Sequence, residues 1–200
     1  MKRKKFGIVP QAKAINIAVA GVVFITGVFL LCFSQLLESS EIFVVAGMCI
    51  LVGAAKMFGY FSNDMYRLAF QFDFATGLFM SAIGILVIIF PTSAAVFVPL
   101  LLGIYVMLDG MQKIQIALDA KKFGISKWPL ILSTSIVLSL VGILAAISVL
   151  KNLVEPNVLC GVALLADGCE NIWITAYTVR VRATKKNLLD MLEEKKDDKE

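Results

Sequence analysis

The chain has 200 residues, 59% of them hydrophobic and 17% charged, with a formal net charge of +4. That balance excludes an ordinary soluble domain, which needs far more polar surface to cover a core of this size. Histidine is absent, and the four cysteines (Cys32, Cys49, Cys160 and Cys169) form no C-x-x-C pair, which argues against metal, disulfide and histidine-based acid–base chemistry.

The apolar residues fall in six runs of roughly 20, each long enough to cross about 30 Å of hydrocarbon at 1.5 Å per residue. Residues 1–13 carry Lys2, Arg3, Lys4, Lys5 and Lys13 and form a basic N-terminal segment. A basic stretch before an apolar run resembles a signal peptide, but the run from Ala14 to Phe33 fits an internal repeat, so it is assigned as a retained first span. A short acidic loop, Ser34 to Glu41, leads to a second span from Ile42 to Phe61, with Lys56 near its end. After Ser62 to Leu68, a third span from Ala69 to Phe90 holds Asp73 near its start. Pro91-Thr92-Ser93 is expected to be a tight turn, because proline suits a helix boundary. The fourth span runs from Ala94 to Leu118, and Asp119 to Lys127 is expected to be the longest internal loop. Trp128 anchors the fifth span, which reaches Leu150. Lys151 to Asn157 is a polar turn, and Val158 to Val179 is the sixth span. Residues 180–200 make a charged tail whose Leu188, Leu189, Met191 and Leu192 follow a short amphipathic helix pattern.

Basic residues concentrate at the N-terminus, in the loops after spans two and four, and in the tail, whereas the other three loops hold only Lys151. By the excess of positive charge on cytoplasmic loops, both termini are expected in the cytoplasm, with basic clusters facing anionic lipid. The lipid bilayer is therefore the expected partner. A homo-oligomer stays open, and nucleic acid is not expected, because basic residues are not interleaved with exposed aromatics.

The runs share one frame. Gly27, Gly84 and Gly142 align; nineteen residues on stand Ala46, Gly103 and Gly161; seven further on stand Gly53, Gly110 and Gly168. Seven before the first column stand Ala20, Gly77 and Ser135. Lipid supplies no hydrophobic drive between helices, so spans associate through close backbone packing at small residues. A seven-residue spacing keeps one such seam facing a neighbour. The fold class predicted is an all-α integral membrane protein of six transmembrane helices, arranged as three repeated antiparallel hairpins (residues 14–61, 69–118 and 128–179) within a membrane domain of 14–179. Equal orientation of the hairpins suggests a pseudo-threefold axis along the membrane normal.

The stretch from Gly84 to Thr92 (GILVIIFPT), the stretch from Gly103 to Gly110 (GIYVMLDG), and Ile114 and Ala117 after them resemble the HdeD-like bacterial short-repeat membrane proteins. Pro91 has no counterpart in the outer units, where Ser34 and Val149 stand. The resemblance implies an integral protein of the bacterial inner membrane linked to acid-stress tolerance. It implies no catalytic residues.

Charges inside the spans are the candidate functional groups: Lys56, Asp73, Asp109, Lys113, Asp167 and Glu170. An aspartate near a helix centre costs about 2.5–3.5 kcal/mol on insertion scales, so each needs a reason. In the repeat frame Asp109 and Asp167 align with Val52, and Lys56 and Lys113 align with Asn171. Asp109 and Lys113 are an i,i+4 pair with the acid first, and Asp167 with Asn171 is expected to make a weaker equivalent. These pairs either satisfy one another or form a polar site beside the glycine seam. All six charges lie in the cytoplasmic half or near the midplane, a placement that suits a vestibule, partly lined by Ser133, Thr134 and Ser135, better than a continuous channel. No phosphate loop, metal spacing or nucleophile–base pattern is visible, so no enzyme activity, cofactor or metal is expected. The function expected is a non-enzymatic role in acid or membrane stress; a small transporter or channel subunit, with Asp109 and Asp167 lining a path, is the alternative.

Overall fold

The computed structural model describes residues 9–32, 42–61, 73–122, 126–151 and 155–175. Among them every regular element is helical: α1 (Val9–Cys32), α2 (Ile42–Phe61), α3 (Asp73–Ile89), α4 (Pro91–Lys122), α5 (Trp128–Lys151) and α6 (Pro156–Thr175). Val96–Lys122, Trp128–Lys151 and Pro156–Thr175 are long and apolar enough to cross a membrane, and Ile17–Cys32, Ile42–Phe58 and Asp73–Ile89 are shorter apolar stretches. Large side chains such as Leu51, Phe58, Val96 and Leu150 lie on the outer surface. A helical membrane protein accounts for so much exposed apolar surface, since lipid is the solvent there.

The boundaries differ from the sequence expectation around α4. Pro91 is not part of a turn but the first residue of that helix. Its fixed φ suits the first helical position, where a missing N–H costs nothing. Phe90 alone separates α3 from α4, its N–H donating to Leu86 O at 2.9 Å and its carbonyl accepting from Ser93 N–H at 3.3 Å. Asp119 to Lys122, assigned to a loop by the sequence, extends α4 by a turn, with Lys122 Nζ 3.0 Å from Asp119 Oδ1. Cationic Lys121 and Lys122 in that last turn complement the helix dipole. The helix also continues through Pro99, whose carbonyl accepts a hydrogen bond from the Cys160 thiol at 2.9 Å. The basic residues Lys2 to Lys5, the loops at 34–41 and 62–68, and the tail with its amphipathic pattern lie outside the described residues.

One apolar core joins all the helices, from Val19 and Val23 on α1 to Ala163 and Leu164 on α6. The two most extensive helix pairs do not lie within the hairpins expected at 14–61 and 69–118. α2 packs far more extensively on α3 than on α1, and α4 far more on α5 than on α3. The glycines make this contact. A Cβ on Gly77 would stand 2.7 Å from Gly53 O, and one on Gly84 would stand 2.7 Å from Ala46 O, joining α2 to α3. One on Gly103 would stand 2.7 Å from Ala146 N, and one on Gly142 would stand 3.0 Å from Gly103 O, joining α4 to α5. One on Gly27 would stand 2.8 Å from Gly161 O, and one on Gly168 would stand 3.0 Å from Ala20 O, joining α6 to α1.

The contacts repeat position by position. Gly84 meets Ala46 and Ile50, Gly142 meets Gly103 and Met107, and Gly27 meets Gly161 and Leu165. Gly53 meets Ser81, Gly110 meets Ser139, and Gly168 meets Phe24. By contrast, Gly21 and Gly47, which lie off the seven-residue frame, face open space. The frame thus separates glycines at backbone contacts from glycines that merely sit in a helix.

Candidate functional site

The three even-numbered helices carry their charges to one place. Lys56 is near the end of α2, Asp109 and Lys113 are one turn apart on α4, and Asp167, Glu170 and Asn171 are on the last turns of α6. All except Asn171, which is half-buried, are buried. Lys56 Nζ lies 2.6 Å from Asp109 Oδ1 and 3.9 Å from Asp73 Oδ1 at the start of α3. Lys113 Nζ lies 2.9 Å from Asp109 Oδ2 on its own helix, 2.5 Å from Asp167 Oδ1 and 3.5 Å from Glu170 Oε2. Among the described residues, two ammonium groups therefore face four carboxylates in one contiguous cluster.

The i,i+4 spacing of Asp109 and Lys113 produces their contact, but most of the partners come from other helices. Asn171 Nδ2 donates to Asp109 Oδ2 at 3.4 Å and not to Asp167, the partner expected on its own helix. Asp167 instead takes Lys113, because a 2.5 Å contact to an ammonium is worth more than a neutral amide donor. Lys56, without a partner on its own helix, is satisfied across the bundle. The two short inter-helix pairs are related: Lys56 with Asp109 steps from α2 to α4, and Lys113 with Asp167 steps from α4 to α6. The third step, from Asn171 on α6 towards Val52 on α2, carries no charge.

Around the pairs stand groups with unused capacity. Asp167 Oδ2 and Glu170 Oε2 are buried and accept no hydrogen bond from the described residues, and the Tyr105 hydroxyl is buried as well. The Tyr105 ring centroid is 5.2 Å from Lys56 Nζ, within cation–π range. Tyr105 was not singled out in the sequence; its signal was its position one turn before Asp109, on the same helix face. Of the hydroxyl run, Ser135 is buried while Ser133 and Thr134 are exposed. Thr134 Oγ1 and Ser135 Oγ lie 2.8 and 2.9 Å from Glu170 Oε1. Each hydroxyl has one hydrogen and also reaches a carbonyl of its own helix, so Glu170 shares its donors.

Two hydroxyls towards the opposite end of the bundle bond within their own helices. Thr26 donates to Val22 O at 2.8 Å, and Ser148 to Ala145 O at 2.8 Å. No group of three or more His, Cys, Asp or Glu side chains suited to a metal ion occurs among the described residues.

Residues 75–151 match the family model described as "Short repeat of unknown function (DUF308)". The matched stretch runs from the first turn of α3 to the last residue of α5 and includes Asp109 and Lys113, but not Lys56, Asp167 or Glu170. No curated protein and no solved structure matches the chain.

Proposed function

We propose that the chain is a non-enzymatic, HdeD-like protein of a bacterial inner membrane, with six spans in three hairpins, both termini in the cytoplasm, and a role in acid or membrane stress tolerance. The observation that carries this reading is the cluster of buried Lys56, Asp109, Lys113, Asp167 and Glu170 with half-buried Asp73, which ties α2, α3, α4 and α6 together at one end of the bundle. The contacts that recur from seam to seam support a repeated architecture, and the short-repeat match is to a family that includes HdeD-like membrane proteins. Charges held this way fix the relative positions of helices that lipid alone would not order. Intramembrane charges are costly, so a cluster of this size points to a task beyond packing.

The test is survival at acidic pH of a host lacking its own copy, supplied with the wild-type chain or with Asp109→Asn, Asp167→Asn. The proposal expects the variant to accumulate in the membrane and to fail to protect. Full protection by that variant would remove the cluster from the stress role.

A small transporter is the second reading. It is favoured by one observation: among the described residues, two ammonium groups against four carboxylates, with Asp167 Oδ2 accepting no hydrogen bond, leave room for a proton or cation. Proteoliposome flux of protons or small solutes, lost on Asp109→Asn, would establish it. Against it stands the bonding of Thr26 and Ser148, towards the opposite end, within their own turns or to a thioether.

A further inference from the structure

Asp109 on α4 and Asp167 on α6 meet side by side. Both accept from one ammonium, Lys113 Nζ, at 2.9 and 2.5 Å. Their side chains also hydrogen-bond to one another. An ionised carboxylate can only accept, so a hydrogen bond between two carboxyl groups needs a proton on one of them. Two buried like charges at that distance would also repel, which is why adjacent carboxyls come to share a proton.

Which of the two holds it follows from their donors. Asp109 Oδ1 lies 2.6 Å from Lys56 Nζ, and its Oδ2 accepts from Lys113 and, at 3.4 Å, from Asn171. Two ammonium groups and an amide on one carboxylate favour its anion. Asp167 meets one ammonium, at Oδ1, while its Oδ2 is buried and accepts no hydrogen bond from the described residues. A buried carboxylate oxygen left bare is costly, whereas an acid O–H in the same place donates. The other charged and titratable groups around the pair are Lys56 on α2, Asp73 at the start of α3, Tyr105 on α4 and Glu170 on α6 itself. Among the described residues, α5 adds only the hydroxyls of Thr134 and Ser135, which face Glu170, and α1 meets α6 beside Asp167 through uncharged Ala20 and Phe24. We infer that Asp109 and Asp167 form a one-proton site joining α4 to α6, with the proton on Asp167 Oδ2 and donated to the Asp109 carboxylate. The proton is then a ligand of the bundle: its loss sets two adjacent anions on one lysine and weakens the α4–α6 contact. The inference rests on the geometry of the cluster and holds whether the protein protects against acid, transports, or does neither.

The test is infrared spectroscopy of the full chain at neutral pH in dodecyl maltoside, a detergent without ester groups. The wild type should show the carbonyl stretch of a protonated carboxylic acid, and the band should shift when aspartate is isotopically labelled at its carboxyl carbon. Asp167→Asn should abolish the band, and Glu170→Gln should leave it. Thermal unfolding supplies a second readout. Asp167→Asn keeps an acceptor for Lys113 and offers Asp109 an N–H in place of the O–H, so it should melt at the wild-type temperature. Asp109→Asn removes the anion between two lysines and should melt several degrees lower. The absence of the band from the wild type would overturn the inference without any variant. A band that survives Asp167→Asn or vanishes in Glu170→Gln, or equal melting of the two asparagine variants, would overturn it as well.

Discussion

Lys56 Nζ on α2 lies 2.6 Å from Asp109 Oδ1 on α4, across 53 residues of chain. Lys113 Nζ on α4 stands in the same relation to Asp167 Oδ1 on α6, across 54 residues. One interaction has been used twice, each time linking one even-numbered helix to the next. Lys113 carries the heavier load, since it also faces Asp109 and Glu170, whereas Lys56 faces Asp109 and, at longer range, Asp73. Lys113→Met should therefore destabilise more than Lys56→Met, with the former near the about 3–5 kcal/mol expected when one partner of a buried ion pair is removed. Equilibrium unfolding in a single detergent checks the order; a larger loss for Lys56→Met would contradict this account of the cluster.

The missing third pair can be installed. If the seams are related by a pseudo-threefold axis, Asn171→Lys on α6 should meet Val52→Asp on α2 as Lys56 meets Asp109. Val52→Asp alone should cost about 2.5–3.5 kcal/mol, as for an unpaired intramembrane aspartate. Adding Asn171→Lys should restore about 0.5–3 kcal/mol as a favourable coupling. A double-mutant cycle measures it, and strictly additive losses would sink the threefold relation.

Glycine substitutions should split into two classes. Gly27→Ala places a methyl 2.8 Å from both Gly161 O and Leu165 N, backbone atoms that cannot move aside, and should cost about 1–3 kcal/mol. Gly47→Ala meets nothing within 4 Å and should be neutral or stabilising by up to about 1 kcal/mol, through helix propensity. Melting temperatures of the two variants, measured side by side, check this; equal losses would mean that the frame does not mark the seams.

Hydroxyls should divide in the same way. Ser135→Ala removes one of the two hydroxyls beside Glu170 Oε1 and should cost about 1 kcal/mol. With Thr134→Val added, that buried carboxylate oxygen keeps no hydroxyl donor, and the joint loss should exceed the sum of the single losses. Ser148→Ala removes only a bond to Ala145 O on its own helix and should change stability by less than either. Denaturation of the four variants decides it.

Much of the architecture was legible in the sequence because its physics is local. Apolar runs between polar turns mark helices suited to lipid, and glycine at a seven-residue spacing marks a face that needs a close neighbour. The i,i+4 pair of Asp109 and Lys113 was legible for the same reason, since helix geometry alone brings those side chains together. The sequence erred where a boundary depended on which conformation proline took: Pro91 opens α4 at its first position, which a residue type compatible with both a turn and a helix start does not disclose.

What only the tertiary structure decided is which neighbour each face meets. A small-residue frame states that a helix must be approached closely, but not by whom. The folded chain joins α2 to α3, α4 to α5 and α6 to α1, and leaves α1 with α2 and α3 with α4, the partners within the expected hairpins, more loosely packed. That choice brings Lys56 to Asp109, Lys113 to Asp167 and Asn171 to Asp109, pairings set by distances through space between residues more than fifty positions apart. Burial then makes the pairings obligatory, because a charge removed from water must find its counter-charge wherever the packing places one.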